Sequence, residues 1–110
     1  MDAILIITNL PDSNSAEILA RRLVEERLAA CVNILPACTS VYHWQGKVET
    51  AQEIPVFIKT TQQRYDAIEK TIKAMHPYEL PEIIIVPLAG GSSDFLDWLA
   101  TETAETNTHP

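Results

Sequence analysis

The sequence is short of long apolar stretches, cysteine, glycine and positive charge, and each shortage removes a class of protein. Runs of large aliphatic side chains stop at four, as in Ile4-Leu5-Ile6-Ile7. A helix needs about 20 apolar residues to cross a bilayer, so no membrane partner is expected. The first residues also lack the basic patch, apolar stretch and small-residue cleavage site of a secretory signal, so the expected localisation is cytoplasmic. The two cysteines, Cys31 and Cys38, stand seven positions apart in what reads as extended chain. That spacing puts their Cα atoms about 20 Å apart, too far for a disulfide unless the segment folds back. Reduced thiols are expected, and without a CxxC pair a structural zinc site is not.

Glycine occurs only at Gly46, Gly90 and Gly91, which leaves no phosphate-binding loop or dinucleotide fingerprint. Thr60-Thr61-Gln62 and Gly90-Gly91-Ser92-Ser93 do precede helical patterns, but plain capping accounts for both. Eight Lys plus Arg face fifteen Asp plus Glu, a net charge of −7, and the basic residues form no run. Nucleic-acid affinity rests on clustered Lys and Arg, so no nucleic-acid partner is expected. The acidic balance favours solubility and the attraction of cations. No Ser-His-Asp or Cys-His arrangement is legible, so the expected role is not that of an enzyme.

What remains is an ordinary globular composition, 46% hydrophobic and 21% charged over 110 residues, enough for one core and one domain. Residues 1–100 carry the apolar patterning, and residues 101–110 read as a polar, mobile tail. Ala3 to Ile7 reads as a buried strand ended by the turn signals Asn9-Leu10-Pro11-Asp12. Ala16, Leu19, Ala20, Leu23, Val24 and Leu28 then recur at helical spacing, with Asn14 and Glu17 as a capping box and Glu17–Arg21 and Arg22–Glu26 as outer pairs. Cys31 to Leu35 and Thr39 to Trp44 are extended. Gln45-Gly46 marks a hairpin tip, and the return strand reaches Lys59. Pro36 and Pro55 fit only at bulges or edges, which bends this long hairpin. Thr60 and Gln63 offer a second capping box for a helix with the stripe Tyr65, Ile68, Ile72 and Met75, stopped by Pro77. Ile83 to Val86 is a further strand, and Ser92 or Ser93 caps a last helix carrying Phe95, Leu96, Trp98 and Leu99.

The order predicts an α+β, ferredoxin-like βαββαβ fold: an antiparallel sheet with helices on one face, a long central hairpin and a C-terminal helix. A sheet covered on one face should alternate apolar and polar residues. Ile4 to Ile7, Val56-Phe57-Ile58 and Ile83 to Val86 are instead apolar on both faces. Burial of each such side chain is worth about 1.5–3 kcal/mol, so copies of the same chain are expected to cover the second face.

Three segments carry a family likeness: Ala29-Ala30-Cys31-Val32-Asn33-Ile34-Leu35-Pro36 with Ser40 to Lys47, His76-Pro77-Tyr78-Glu79-Leu80-Pro81-Glu82-Ile83, and Asp94 to Leu99. Together they resemble the signatures of the CutA divalent-cation-tolerance family. The resemblance implies a homotrimer whose hairpins reach between subunits, and a role in tolerance of divalent metal ions, copper especially. It also implies a likeness to trimeric PII signalling proteins, so the alternative function is a module binding a small anionic ligand at subunit clefts. The family's cysteine near the end of the first strand has no counterpart here, where Thr8 stands.

His76, Glu79 and Glu82 are the candidate metal ligands, because imidazole and carboxylate suit Cu(II) or Zn(II) and two prolines restrict their loop. The divalent cation, Cu(II) foremost, is the only cofactor expected. Tyr42 and Trp44 beside the hairpin tip, with Lys59, Tyr78 and Trp98, are the candidate small-ligand residues of an intersubunit cleft.

Overall fold

A computed structural model describes residues 2–105. The elements are β1 (Ala3–Leu10), α1 (Ser13–Glu25), β2 (Cys31–Ile34), β3 (Cys38–Trp44), β4 (Lys47–Thr61), α2 (Tyr65–Met75), β5 (Ile84–Pro87) and α3 (Ser93–Glu102). The sheet order is β2-β4-β1-β5, every pair antiparallel, with β3 on the outer half of β4. This is the expected α+β, ferredoxin-like plan.

Proline explains the central hairpin. Pro36 falls between β2 and β3, so one 15-residue strand, β4, serves two shorter partners. Pro55 has no N–H to give, yet its carbonyl accepts from Leu35 N at 2.9 Å and closes the break. Beyond it the β3–β4 ribbon projects outward, and the molecule measures 52 × 32 × 22 Å with a radius of gyration of 15.1 Å. A compact chain of this length has a radius near 13 Å. The ribbon turns on Gln45 (φ 50°) and Gly46 (φ 81°), two consecutive left-handed residues that match the twist of the flanking strands.

The core lies between one sheet face and α1 with α2. Ile4, Ile6 and Leu10 of β1 and Val56 and Ile58 of β4 pack there with Leu19, Leu23, Ile68 and Ile72, and all are buried. Alternate residues of β1, including Leu5 and Ile7, point to the other face and are only partly covered. On that face Ile84 and Val86 of β5 lie opposite Ile7 and Leu5 and stay 48% and 37% exposed. α3 lies against β4 and β1 and buries Leu99. The strands are therefore apolar front and back, as their sequence indicates.

Local chemistry differs from expectation at both capping boxes. Asp12, not Asn14, caps α1, accepting from Ser15 N at 2.7 Å. Its extended backbone, set just after Pro11, presents the carboxylate to the first free N–H groups. Thr60 stays in β4 and donates to Leu28 O at 2.6 Å. The chain then makes a short 3-10 turn, Gln62–Arg64, before α2, which begins without a side-chain cap. Ser92 caps α3 as expected. Glu17–Arg21 and Arg22–Glu26 form, as does Glu69–Lys73. α3 runs to Glu102, inside the segment read as a tail. Thr103 is buried there, and its carbonyl accepts from Arg64 Nε at 2.7 Å. The rest of that reading, residues 106–110, lies outside the described residues.

Candidate functional site

The site begins where α2 stops. Pro77 forces the residue before it into extended backbone, and His76 sits at φ −80°, ψ 134°. This turns the buried imidazole toward the end of β1. Nε2 donates to the Asn9 carbonyl at 2.6 Å, and Nδ1 accepts from Tyr78 N at 3.1 Å. A ring donating from one nitrogen and accepting at the other is the neutral Nε2–H tautomer. Tyr78 packs tilted on it with ring centres 4.6 Å apart. Glu82 accepts from Asn9 Nδ2 at 3.3 Å. Asn9 thus ties both ends of the loop to β1.

Between this loop and the ribbon opens a cleft of about 760 Å³, lined by Tyr42, Trp44, Glu53, Tyr78, Glu79 and Glu82 among others. Tyr42 and Trp44 are two apart on β3 and share a strand face. Glu53 lies opposite Cys38 on β4, and Cys38 is an even number of residues from both, so Glu53 shares that face. Only 8% of Glu53 is exposed. Among the described residues no Lys, Arg or His lies within 4.0 Å of its carboxylate. Burying a carboxylate without a counter-charge is costly. Partial burial first, and the Glu53 charge second, hold the Tyr78 phenol above its ordinary value of 10.0. No Lys or Arg is among the lining residues. The cleft is aromatic and electronegative.

The residues picked out in sequence divide accordingly. Tyr42, Trp44 and Tyr78 come together, with Glu79 and Glu82 at the same cleft. His76 lies behind them, with both ring nitrogens engaged by backbone, which holds the loop on its course. Among the described residues no three His, Cys, Asp or Glu side chains converge to hold a metal ion, so His76, Glu79 and Glu82 do not form a ready triad. Lys59 stands in mid-sheet opposite Leu5 and Cys31, and Trp98 pairs with Phe95 on α3, centres 5.5 Å apart. Neither lines the cleft of a single chain. Thr8 is fully buried and its hydroxyl has no partner among the described residues, so that position belongs to the core. Cys31 and Cys38 are free and half-buried.

Two site residues escaped sequence reasoning, Asn9 and Glu53. Asn9 reads as a turn signal but continues β1. Glu53 is an acid beside Ile54 and Pro55 in a strand, and only the pairing register shows that it faces inward.

Comparison with known proteins agrees with this geometry. Residues 4–102 match the model of the CutA1 divalent ion tolerance protein family. The "Divalent-cation tolerance protein CutA" of Thermus thermophilus is 46% identical over 103 residues, covering 94% of this chain and 99% of the relative. That of Pectobacterium atrosepticum is 43% identical over 98 residues, 89% of each chain. Among solved structures, CutA1 from Oryza sativa superposes with a TM-score of 0.92 at 40% identity, covering 96% of this chain and 97% of that one. With near-complete coverage in both sequence and fold, the chain belongs to the CutA1 divalent ion tolerance protein family.

Proposed function

We propose that this chain works in divalent metal ion tolerance as a cytoplasmic homotrimer that binds divalent cations, copper among them, in a non-catalytic role. The observation that supports cation binding is the charge of the cleft: Glu53, Glu79 and Glu82 line it without converging on one point in a single chain, and no Lys or Arg stands in the lining. Carboxylate oxygens and retained waters are donors for hard and borderline divalent ions. The trimer is supported by apolar surface left uncovered in one chain, Ile84 and Val86 on the open sheet face and Val41 and Val48 on the ribbon, each of the last two 67% exposed. A small anionic ligand finds less support, since Lys59, the cation it would need, stands outside the cleft of a single chain.

Titration calorimetry with Cu(II), Zn(II) and Mn(II) tests the reading. Stoichiometric binding that weakens at least tenfold in Glu79→Gln/Glu82→Gln is expected. Non-stoichiometric heats identical in the two proteins would remove the cleft as the cation site.

A further inference from the structure

Two opposite charges stand unmatched in the single chain. Glu53 is the one buried carboxylate among the described residues, and no Lys, Arg or His there lies within 4.0 Å of it. Lys59 and Arg64 are the two half-buried basic residues, and the others are exposed. Arg64 has its ion pair with Glu105 and donates to the Thr103 carbonyl. Lys59 has no carboxylate within 4.0 Å among the described residues. It lies opposite Leu5 and Cys31, and Leu5 lies opposite Val86, which sets its charge in the middle of the apolar sheet face. Both groups belong to β4, six positions apart. That even spacing gives them one strand face but separates them by about 20 Å, so they cannot meet within one chain.

Copies that cover this face take both groups out of water, and a desolvated charge without a partner is costly. We infer that in the trimer Lys59 of the partner subunit pairs with Glu53, so that two chains together complete the cleft. In a cyclic assembly such a contact is heterologous: each chain gives Glu53 to one neighbour and Lys59 to the other. One pairing is then made three times and closes the ring. Opposite charges facing each other at a subunit contact also fix its register, because any other setting leaves both unpaired. With Glu53 neutralised, Glu79 and Glu82 are the lining carboxylates left for a divalent cation. The inference rests on the trimer reading above and adds which side chain the neighbour supplies.

Sedimentation velocity on the full chain provides the test. Glu53→Lys and Lys59→Glu each set like charges together and should raise the trimer dissociation constant by about tenfold or more. Joint refolding of the two reversed proteins restores opposite charges at mixed contacts, so the mixture should regain trimer that neither forms alone. A pairing inside one chain could not respond to mixing. The double reversal Glu53→Lys/Lys59→Glu should recover trimer as well. If a reversed protein fails to fold, the neutral Glu53→Gln and Lys59→Met take its place, and their combination should lose no more than the worse single variant. Trimer indifferent to both reversals, a mixture no more trimeric than its parts, or additive neutral losses overturns the pairing while the trimer stands. An unaltered protein that runs as a monomer ends both.

Discussion

His76 and Asn9, 67 residues apart in sequence, are joined by a 2.6 Å hydrogen bond from the imidazole Nε2 to the backbone carbonyl at the end of β1. The contact pins the loop carrying Tyr78, Glu79 and Glu82 to the sheet, so His76 acts by positioning the cleft wall. Removing one partner of a buried hydrogen bond leaves the other unsatisfied, at about 1–3 kcal/mol. His76→Ala should therefore lower stability by that amount in urea unfolding while keeping the stoichiometry of divalent-ion binding. Lost stoichiometry at unchanged stability would make His76 a ligand after all.

The Asp12 cap gives an acid-side prediction. Hydrogen bonds from Ser15, backbone first and side chain second, hold its carboxyl below the ordinary value of 3.8. A depressed pKa contributes stability that is present above the unfolded value and lost as pH falls through the folded one. Asp12→Ala should reduce stability at neutral pH and flatten its dependence below about pH 4, as thermal melts across that range would show. A variant whose melting curve tracks the parent at every pH would mean the cap contributes nothing.

At the alkaline end the sign reverses. Burial first, then neighbouring carboxylates, raise the phenols of Tyr65 and Tyr78 above 10.0. A raised pKa gives stability that is complete below the unfolded value and lost as pH climbs through the folded one. Tyr78→Phe should leave neutral-pH stability nearly unchanged and remove part of the phenolate absorbance change that lies above the ordinary tyrosine range, near 295 nm. Ordinary titration of all three tyrosines in the parent protein would contradict this.

The hairpin tip depends on backbone freedom. A Cβ on Gly46 would meet nothing within 4 Å, yet the residue sits at φ 81°. Gly46→Ala should thus cost about 1 kcal/mol through the left-handed backbone alone, without altering the fold by circular dichroism. A stabilised Gly46→Ala protein would show that the tip relaxes to another turn.

Val48, 67% exposed beside the tip, tests assembly. Placing a charge on a ribbon that packs on a sister chain leaves it desolvated and unpaired. Val48→Glu should shift the protein from trimer toward monomer in sedimentation velocity at micromolar concentration. A parent protein that already sediments as a single chain would end the trimer proposal itself.

Much of the fold was legible because its determinants are local. The helical stripes in α1 and α2, the Gln45-Gly46 tip and the Ser92 cap each follow from neighbours within a few residues. The capping boxes failed for a tertiary reason in one case: Thr60 was already committed to Leu28 across 32 residues and could not serve a helix start. In the other, α1 begins at Ser13, so Asn14 already lies inside the first turn and Asp12 holds the cap position.

By itself, the sequence determined the element order, the two-sided apolar strands and the family, because periodicity, turn residues and motif identity are written along the chain. Tertiary structure decided the site. Which face Glu53 takes depends on strand register, and which partners hold His76 depends on where β1 ends relative to α2. Both are long-range matters of geometry, and a one-residue slip in register would turn the same side chains to the opposite face.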